Sequence, residues 1–425
     1  MVIGPSSVEV AHGTVEVFGK SVRENESIVV KKYRAIPVEA LSGQAIVNVT
    51  VGRGGGVERR ERIGCEMWRG LADKIKDEGG GYIILGKVDS GKSSLTVFLV
   101  NRCLEAGVKV GIMDVDVGQG DLGEPCLIGA AVPEDPIISL EDVGEVRKRF
   151  IGKTSPHGVE VELEGAIQDL YEWLRKEGCG VILVNFHGWV TGLGAHRHIT
   201  EVIEKTGIEK LVFIQEGEEL VDLVQHLLEY EGLKDRVIWK AFLEAPDTYK
   251  RSAESRREIR ERKIRNYFSR NNFSTVTFNH GEVPIQGTGI FKWRRIDEGD
   301  PELRRIVDAV EERGRYIVYG ERDGQTYRVL ALGRGRMPLA YDQTKTDGFT
   351  VDIYASGRQM GLVAGFGDEE GNWEMGKLVS IKPFRRQWVF LRPDRITRPT
   401  KIILGRMILD EDNVERGTLP KAFFT

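Results

Sequence analysis

The chain has 425 residues, enough for two or three domains, and its 40% hydrophobic and 30% charged content is that of a globular protein with a sizeable core. A formal net charge of −4 excludes a protein that holds nucleic acid with its whole surface, so any polynucleotide contact must come from a local cluster of Lys and Arg. Residues 1–13 lack the cationic start and apolar run of a signal peptide, and no stretch reaches the ~18 uninterrupted apolar residues of a membrane span, so a soluble, cytoplasmic protein without a membrane partner is expected.

Residues 6 to about 63 alternate apolar and polar side chains between glycine-containing turns, as in Val8-Glu9-Val10 and Ala45-Ile46-Val47-Asn48-Val49. This pattern predicts a small antiparallel β module, taken as domain 1–66, and residues 65–75 read as a helix leading out of it. From 81 to 280 continuous apolar runs alternate with amphipathic helical segments. Strands are predicted at 82–85, 108–115, 181–184, 211–214 and 237–239, which implies a parallel sheet covered on both faces, in a domain spanning 67–282. From 283 the β pattern returns, with strands predicted at 316–319, 327–331, 350–354, 362–366, 378–381 and 388–391, in a domain spanning 283–425. The expected fold is thus α/β: a central P-loop NTPase domain with a parallel sheet, flanked by N-terminal and C-terminal all-β domains. The four cysteines, Cys65, Cys103, Cys126 and Cys179, have no zinc spacing and read as reduced structural thiols.

The first predicted strand of the central domain runs into Gly86-Lys87-Val88-Asp89-Ser90-Gly91-Lys92-Ser93-Ser94, and a helix is expected over 94–106. Glycines let the backbone curl so that its N–H groups point inward at phosphate oxygens, and the helix N-terminus adds partial positive charge. In that context Lys92 reaches the β- and γ-phosphates of a nucleoside triphosphate, expected to be ATP, and Ser93 ligates Mg2+. The competing reading is a glycine-rich turn without a ligand.

Three later segments bear on where the phosphate goes. The turn Met113-Asp114-Val115-Asp116-Val117-Gly118-Gln119-Gly120 lies at the carboxyl end of the second strand, which faces the phosphate loop. Asp116 is placed to accept a proton from an attacking hydroxyl or to hold a metal-bound water, with Gln119 near enough to assist. The bland alternative is that Asp114 and Asp116 cap the turn. In Asn185-Phe186-His187-Gly188-Trp189-Val190-Thr191-Gly192-Leu193-Gly194, Trp189 is a candidate platform for a nucleobase, against the alternative of a packed core ring. His196 and His198 nearby have no third ligand in view and read as structural. Between 250 and 270 there are nine Lys and Arg against three Glu, a surplus that solvated i,i+4 pairs do not absorb. Arginines there are expected to close over the triphosphate or to attract a polyanion.

Taken together, Gly86–Ser93, the D-V-G-Q-G at Asp116–Gly120, the N-x-x-G-W-V-x-G-x-G at Asn185–Gly194 and the R-R-E-x-R-x-x-x-I-R-x-Y-F at Arg256–Phe268 resemble the polynucleotide 5′-hydroxyl kinase family, which has archaeal and eukaryotic members. The resemblance implies ATP and magnesium at the phosphate loop, Asp116 as activator of the 5′-hydroxyl, Trp189 stacked on the terminal nucleotide, and Arg260 and Arg265 as lid arginines on the triphosphate. It implies as partners the 5′-hydroxyl ends of RNA, with DNA also in view, and suggests that the N-terminal module helps hold the adenine. Protein partners are not implied. Phe186 and His187 stand where the family often has Thr and then a small residue or Pro, so a substrate contact from that hydroxyl is absent. Two other functions compete: an ATP-binding scaffold subunit without turnover, and a GTPase switch suggested by Thr344-Lys345-Thr346-Asp347. The latter lies far from the phosphate loop, in the C-terminal β region. The C-terminal cations Lys382, Arg385, Arg386, Arg392, Arg395 and Arg398 extend a nucleic-acid surface or are ordinary strand faces.

Overall fold

Alternation builds the N-terminal module: along Ser6–His12, Val8 and Val10 are buried while Glu9 is exposed. A computed structural model of the chain describes residues 1–41, 43–59, 65–230, 233, 239–244, 250–333, 341–346, 348–357 and 359–419. Short antiparallel strands of residues 1–59 form three three-stranded sheets. The module is fixed to the helix after the phosphate loop by Asn101, whose Nδ2 donates to Phe18 O at 2.7 Å and Ile137 O at 2.8 Å while its Oδ1 accepts from Ile137 N at 2.8 Å.

The central sheet has seven strands, numbered here in chain order: β1 (Gly80–Gly86), β2 (Val110–Asp114), β3 (Leu127–Ala131), β4 (Arg147–Phe150), β5 (Val181–Asn185), β6 (Lys210–Gln215) and β7 (Trp239–Glu244). Their spatial order is β4-β3-β2-β5-β1-β6-β7, and the run β2-β5-β1-β6-β7 is parallel. The sheet is nevertheless mixed, because β3 pairs antiparallel with β2. Neither β3 nor β4 was signalled by the sequence pattern. Of the strand predicted at 237–239, residues 237 and 238 lie outside the described residues. β2, β3 and β5 are buried along their whole length, which accounts for their unbroken apolar runs.

Helices α1 (Cys65–Glu78), α2 (Lys92–Glu105), α3 (Glu160–Lys176), α4 (Leu193–Thr206), α5 (Val221–Glu229) and α6 (Ala253–Arg270) accompany the sheet. In α3, Leu163, Ile167, Leu170 and Leu174 recur at helical spacing and are among the residues it buries. Among the described residues, no helix is long and apolar enough to cross a membrane.

The chain divides into two compact units, residues 1–149 with 155–260, and residues 150–154 with 261–425. The N-terminal module therefore shares a unit with the central sheet, and the division falls inside α6. In the second unit one sheet runs in the order Phe273–Asn279, Gln387–Pro393, Trp373–Lys382, Leu362–Gly367, Lys401–Leu409, Ile285–Gln286, and Glu415–Thr418 pairs with Lys401–Leu409. Phe291, Phe366, Trp388 and Phe390 fill its core. The other sheet holds Arg294–Arg295, Arg315–Asp323, Thr326–Gly333, Phe349–Ala355 and Tyr341–Thr346. Against it packs helix α7 (Leu303–Glu311), which the reading of this region as purely β had not included; Ile306 and Val310 enter the same core as Tyr327 and Val329.

Candidate active site

β1 delivers Gly86 at the carboxyl edge of the sheet, the chain curls through Lys87–Gly91, and α2 starts at Lys92. Gly91 caps the helix at φ +96°, a left-handed conformation that a side chain would strain. Lys92 is buried, and its Nζ donates to Gly86 O at 2.8 Å and Lys87 O at 2.6 Å. Burial pulls this ammonium down to about 8, opposed by the charges of Asp116, Asp89 and Asp114. The loop carbonyls thus hold the lysine at the place a polyphosphate would claim it.

β2 and β5 end next to the loop and supply the carboxylates and the amide. Asn185 Nδ2 donates to Ser93 Oγ at 3.2 Å and to Asp114 Oδ1 at 3.2 Å. Asp114 also accepts from Asp121 N at 2.6 Å and Asp116 N at 3.3 Å. Burial, then the charge of Asp121, pushes Asp114 up to about 7. Asp116 is half-buried, and its Oδ1 accepts from Gly118 N at 2.9 Å and Gln119 N at 2.8 Å. Both carboxylates therefore do hold the turn, as the bland reading had it, but Asp116 does so with one oxygen; among the described residues Oδ2 makes no hydrogen bond. Gln119 Nε2 donates to Arg256 O at 3.2 Å.

These groups line one cleft that is partly open to solvent. Met1, Phe18, Tyr33, Arg34 and Pro37 of the N-terminal module form its opposite wall. Among the described residues, three buried polar atoms of the lining, Ser90 Oγ, Gln119 Oε1 and Asn185 Oδ1, have no hydrogen-bond partner. Buried polar groups are rarely left so, and here they mark a site shaped for a polar ligand. The oxygen-rich donor set beside Ser93 suits a hard cation such as magnesium.

Arginines of the 250–270 cluster reach the loop, though not the two, Arg260 and Arg265, that the resemblance had implied. Arg251 Nε and Nη2 both contact Asp89 Oδ1, at 2.7 and 2.6 Å, and Arg256 Nη1 contacts Asp89 Oδ2 at 3.1 Å. Arg251 lines the cleft. Arg260 is half-buried further along α6 and does not line it; Arg265 is exposed, lies in the second unit and pairs with Glu261 at 3.5 Å.

Trp189 is half-buried, on the loop between β5 and α4. Its ring centroid stands 4.1 Å from that of His157 and 6.0 Å from that of His198. Gly188 is required there: a Cβ would come within 2.7 Å of Val88 N and 2.3 Å of Val88 Cγ2, so the tryptophan loop rests directly on the phosphate loop. Beneath it His187 Nε2 and His198 Nε2 are 3.1 Å apart, and His198 Nδ1 lies 2.9 Å from Glu164 Oε1, whose other oxygen accepts from Lys205 at 2.6 Å. Burial, then His198, holds His187 well below the usual imidazole range. The histidines form this polar chain rather than a metal site, and no group of metal-ligating side chains occurs among the described residues.

Elsewhere, Thr344–Thr346 belong to a strand of the second unit, and Asp347 lies outside the described residues. Of the C-terminal cations, Arg386 donates to Phe291 O, Arg392 to Thr397 O at 2.6 Å, and Arg395 lies 3.8 Å from Glu374. Cys103 and Cys126 are buried free thiols and Cys179 is half-buried. Asn185 was missed as a site residue, and Asp89, placed among the residues of the phosphate loop, was not read as an anchor for arginines; both roles depend on partners far away in sequence.

Residues 86–270 match the family model described as mRNA cleavage and polyadenylation factor CLP1 P-loop. The chain is 27% identical over 342 residues to a polyribonucleotide 5′-hydroxyl-kinase of Pyrococcus horikoshii, covering 80% of this chain and 88% of that one. A protein of the same name from Thermococcus kodakarensis is 29% identical over 347 residues, covering 79% and 90%. Clp1 of Xenopus tropicalis, also named a polyribonucleotide 5′-hydroxyl-kinase, is 24% identical over 288 residues, covering 62% and 63%. Among solved structures, Clp1p in a complex of Clp1p with Pcf11p superposes with a TM-score of 0.60 at 14% identity, covering 95% of this chain and 96% of that one, a likeness of fold.

Proposed function

We propose, for a chain whose residues 86–270 match the CLP1 P-loop family model, transfer of the γ-phosphate of ATP to the 5′-hydroxyl end of RNA, with DNA ends as a second substrate. The observation that carries this reading is the Oδ2 of Asp116, which makes no hydrogen bond among the described residues and lies in the same cleft as Lys92 and Ser93. The turn N–H groups fix one oxygen of the carboxylate, and the other accepts the proton of the attacking hydroxyl. Lys92 exchanges the carbonyls of Gly86 and Lys87 for phosphate oxygens, bringing a positive charge to the γ-phosphate as negative charge spreads over it. Magnesium at Ser93 Oγ, with Asp114 and Asn185 behind it, would supply charge neutralisation between the β- and γ-phosphates. The backbone of residues 86–94 cradles the phosphates, the module residues Phe18, Tyr33 and Arg34 wall the adenosine side, and Gln119 and Trp189 orient the polynucleotide end. By resemblance Arg260 also contacts the triphosphate, while Arg251 is the arginine that lines the cleft itself.

The test is transfer of labelled γ-phosphate from ATP to a 5′-hydroxyl RNA oligonucleotide, with Asp116→Asn beside the native protein. Labelling by the native protein, lost in the variant, is the expected result. If neither labels an RNA or DNA end while ATP still binds, the protein is an ATP-binding scaffold and the catalytic role of Asp116 falls.

A further inference from the structure

We propose that Asp89 is a positioning residue, which holds the start of the lid helix α6 over the phosphate loop and so places Arg251 in the nucleotide cleft. A carboxylate inside a phosphate loop is at first sight a liability, since it faces an incoming polyanion. Here it is almost fully covered, with 7% of its side chain exposed, and it carries two guanidinium groups. Arg251 approaches Oδ1 with Nε and Nη2 and gives its backbone N–H to Oδ2 at 3.2 Å; Arg256 Nη1 reaches Oδ2 at 3.1 Å and also donates to Arg251 O at 2.9 Å. One negative and two positive groups leave the loop tip net positive, so the carboxylate recruits more charge than it costs.

The same first turns of α6 are held from two other sides of the cleft. Gln119, on the turn that carries Asp116, donates to Arg256 O, and Glu258 accepts from Tyr33 Oη at 2.5 Å and Lys32 Nζ at 3.0 Å on the N-terminal module. Asp89 is the one of these anchors that belongs to the phosphate loop. It adopts φ +60°, a left-handed conformation open to Asp and Asn but strained for most side chains, so the carboxylate is presented by the curl that cradles the phosphates. Nucleotide binding and lid placement therefore share one backbone segment.

The catalytic part of this inference rests on the kinase reading; the holding of the lid does not. The test uses the full-length protein carrying Asp89→Asn, which keeps the shape and the left-handed backbone and removes the charge. Amide hydrogen exchange over residues 251–258 of the ligand-free protein should quicken. Under saturating RNA, kcat should fall by about 100-fold, the cost of a displaced catalytic contact, while the KM for ATP does not rise. Adding Arg251→Gln to Asp89→Asn should lower kcat little further, because both variants break one contact. Unchanged exchange overturns the proposal, as does a kcat equal to that of the native protein. A KM for ATP that rises in step with a falling kcat also overturns it, since that is general damage to the loop. If the native protein transfers no phosphate, the kinase reading falls and the exchange measurement alone decides whether Asp89 holds the lid.

Discussion

Asp114→Asn should stabilise the metal-free protein in a pH-dependent way while impairing phosphate transfer. Asp114 is buried at the end of β2, and burial, then the Asp121 charge, raises its carboxyl from 3.8 to about 7. The folded state thus keeps a proton that the unfolded chain releases near pH 4. Stability from this group is fully present below that pH and is lost as pH rises toward 7. A shift of about 3 units corresponds to about 4 kcal/mol, reduced to roughly 2–4 kcal/mol by the share that belongs to Asp121 and Asp116. In the Asn variant the new amide oxygen keeps the Asp121 N–H and its nitrogen meets Asn185, which can turn its Oδ1 toward it, so that only the long 3.3 Å bond from Asp116 N is lost. Urea unfolding of both proteins in EDTA, followed by tryptophan fluorescence at pH 5, 6, 7 and 8, measures the effect. The native protein should lose ground to the variant steadily between pH 5 and 7 and no further above. Parallel stability curves would refute the reasoning, because the buried carboxyl would then not be the group that titrates.

Two other substitutions separate scaffold from site. Asn101→Ala strands Phe18 O, Ile137 O and Ile137 N in a buried region, and should cost about 3 kcal/mol in denaturant unfolding while the folded fraction keeps its activity. Trp189→Ala should raise the KM for an RNA oligonucleotide roughly 5- to 100-fold, the range of one base stack, and leave the KM for ATP unchanged; an unaltered RNA KM removes Trp189 from substrate binding.

Much of the site was legible because its elements are local. The phosphate loop needs only one strand, one curl and one helix N-terminus, and Asp116 and Trp189 sit at strand ends that a parallel sheet gathers on one edge. What escaped depends on distance or on weak patterning. Arg147–Phe150 is three cations and one ring, with neither alternation nor an apolar run, so nothing in it announces β4. Leu127–Ala131 is short and apolar, and its antiparallel direction comes from its pairing with β2. The arginine cluster at 250–270 was visible as charge, but which members reach the loop is decided by Asp89, some 162 positions earlier. His198 read as structural, but what it is bonded to was not legible, because its carboxylate partner, Glu164, is on another helix.

Gly188 has a consequence that reaches beyond packing. With no side chain between them, the tryptophan loop packs directly on Val88 of the phosphate loop. A nucleotide that stills the phosphate loop removes part of the entropy that an RNA end would otherwise have to take from the tryptophan loop, and the reverse holds equally. On the proposed kinase function the two ligands are therefore expected to bind cooperatively. The factor by which ATP tightens RNA equals the factor by which RNA tightens ATP, and binding of either one, measured with and without the other, reads that factor directly.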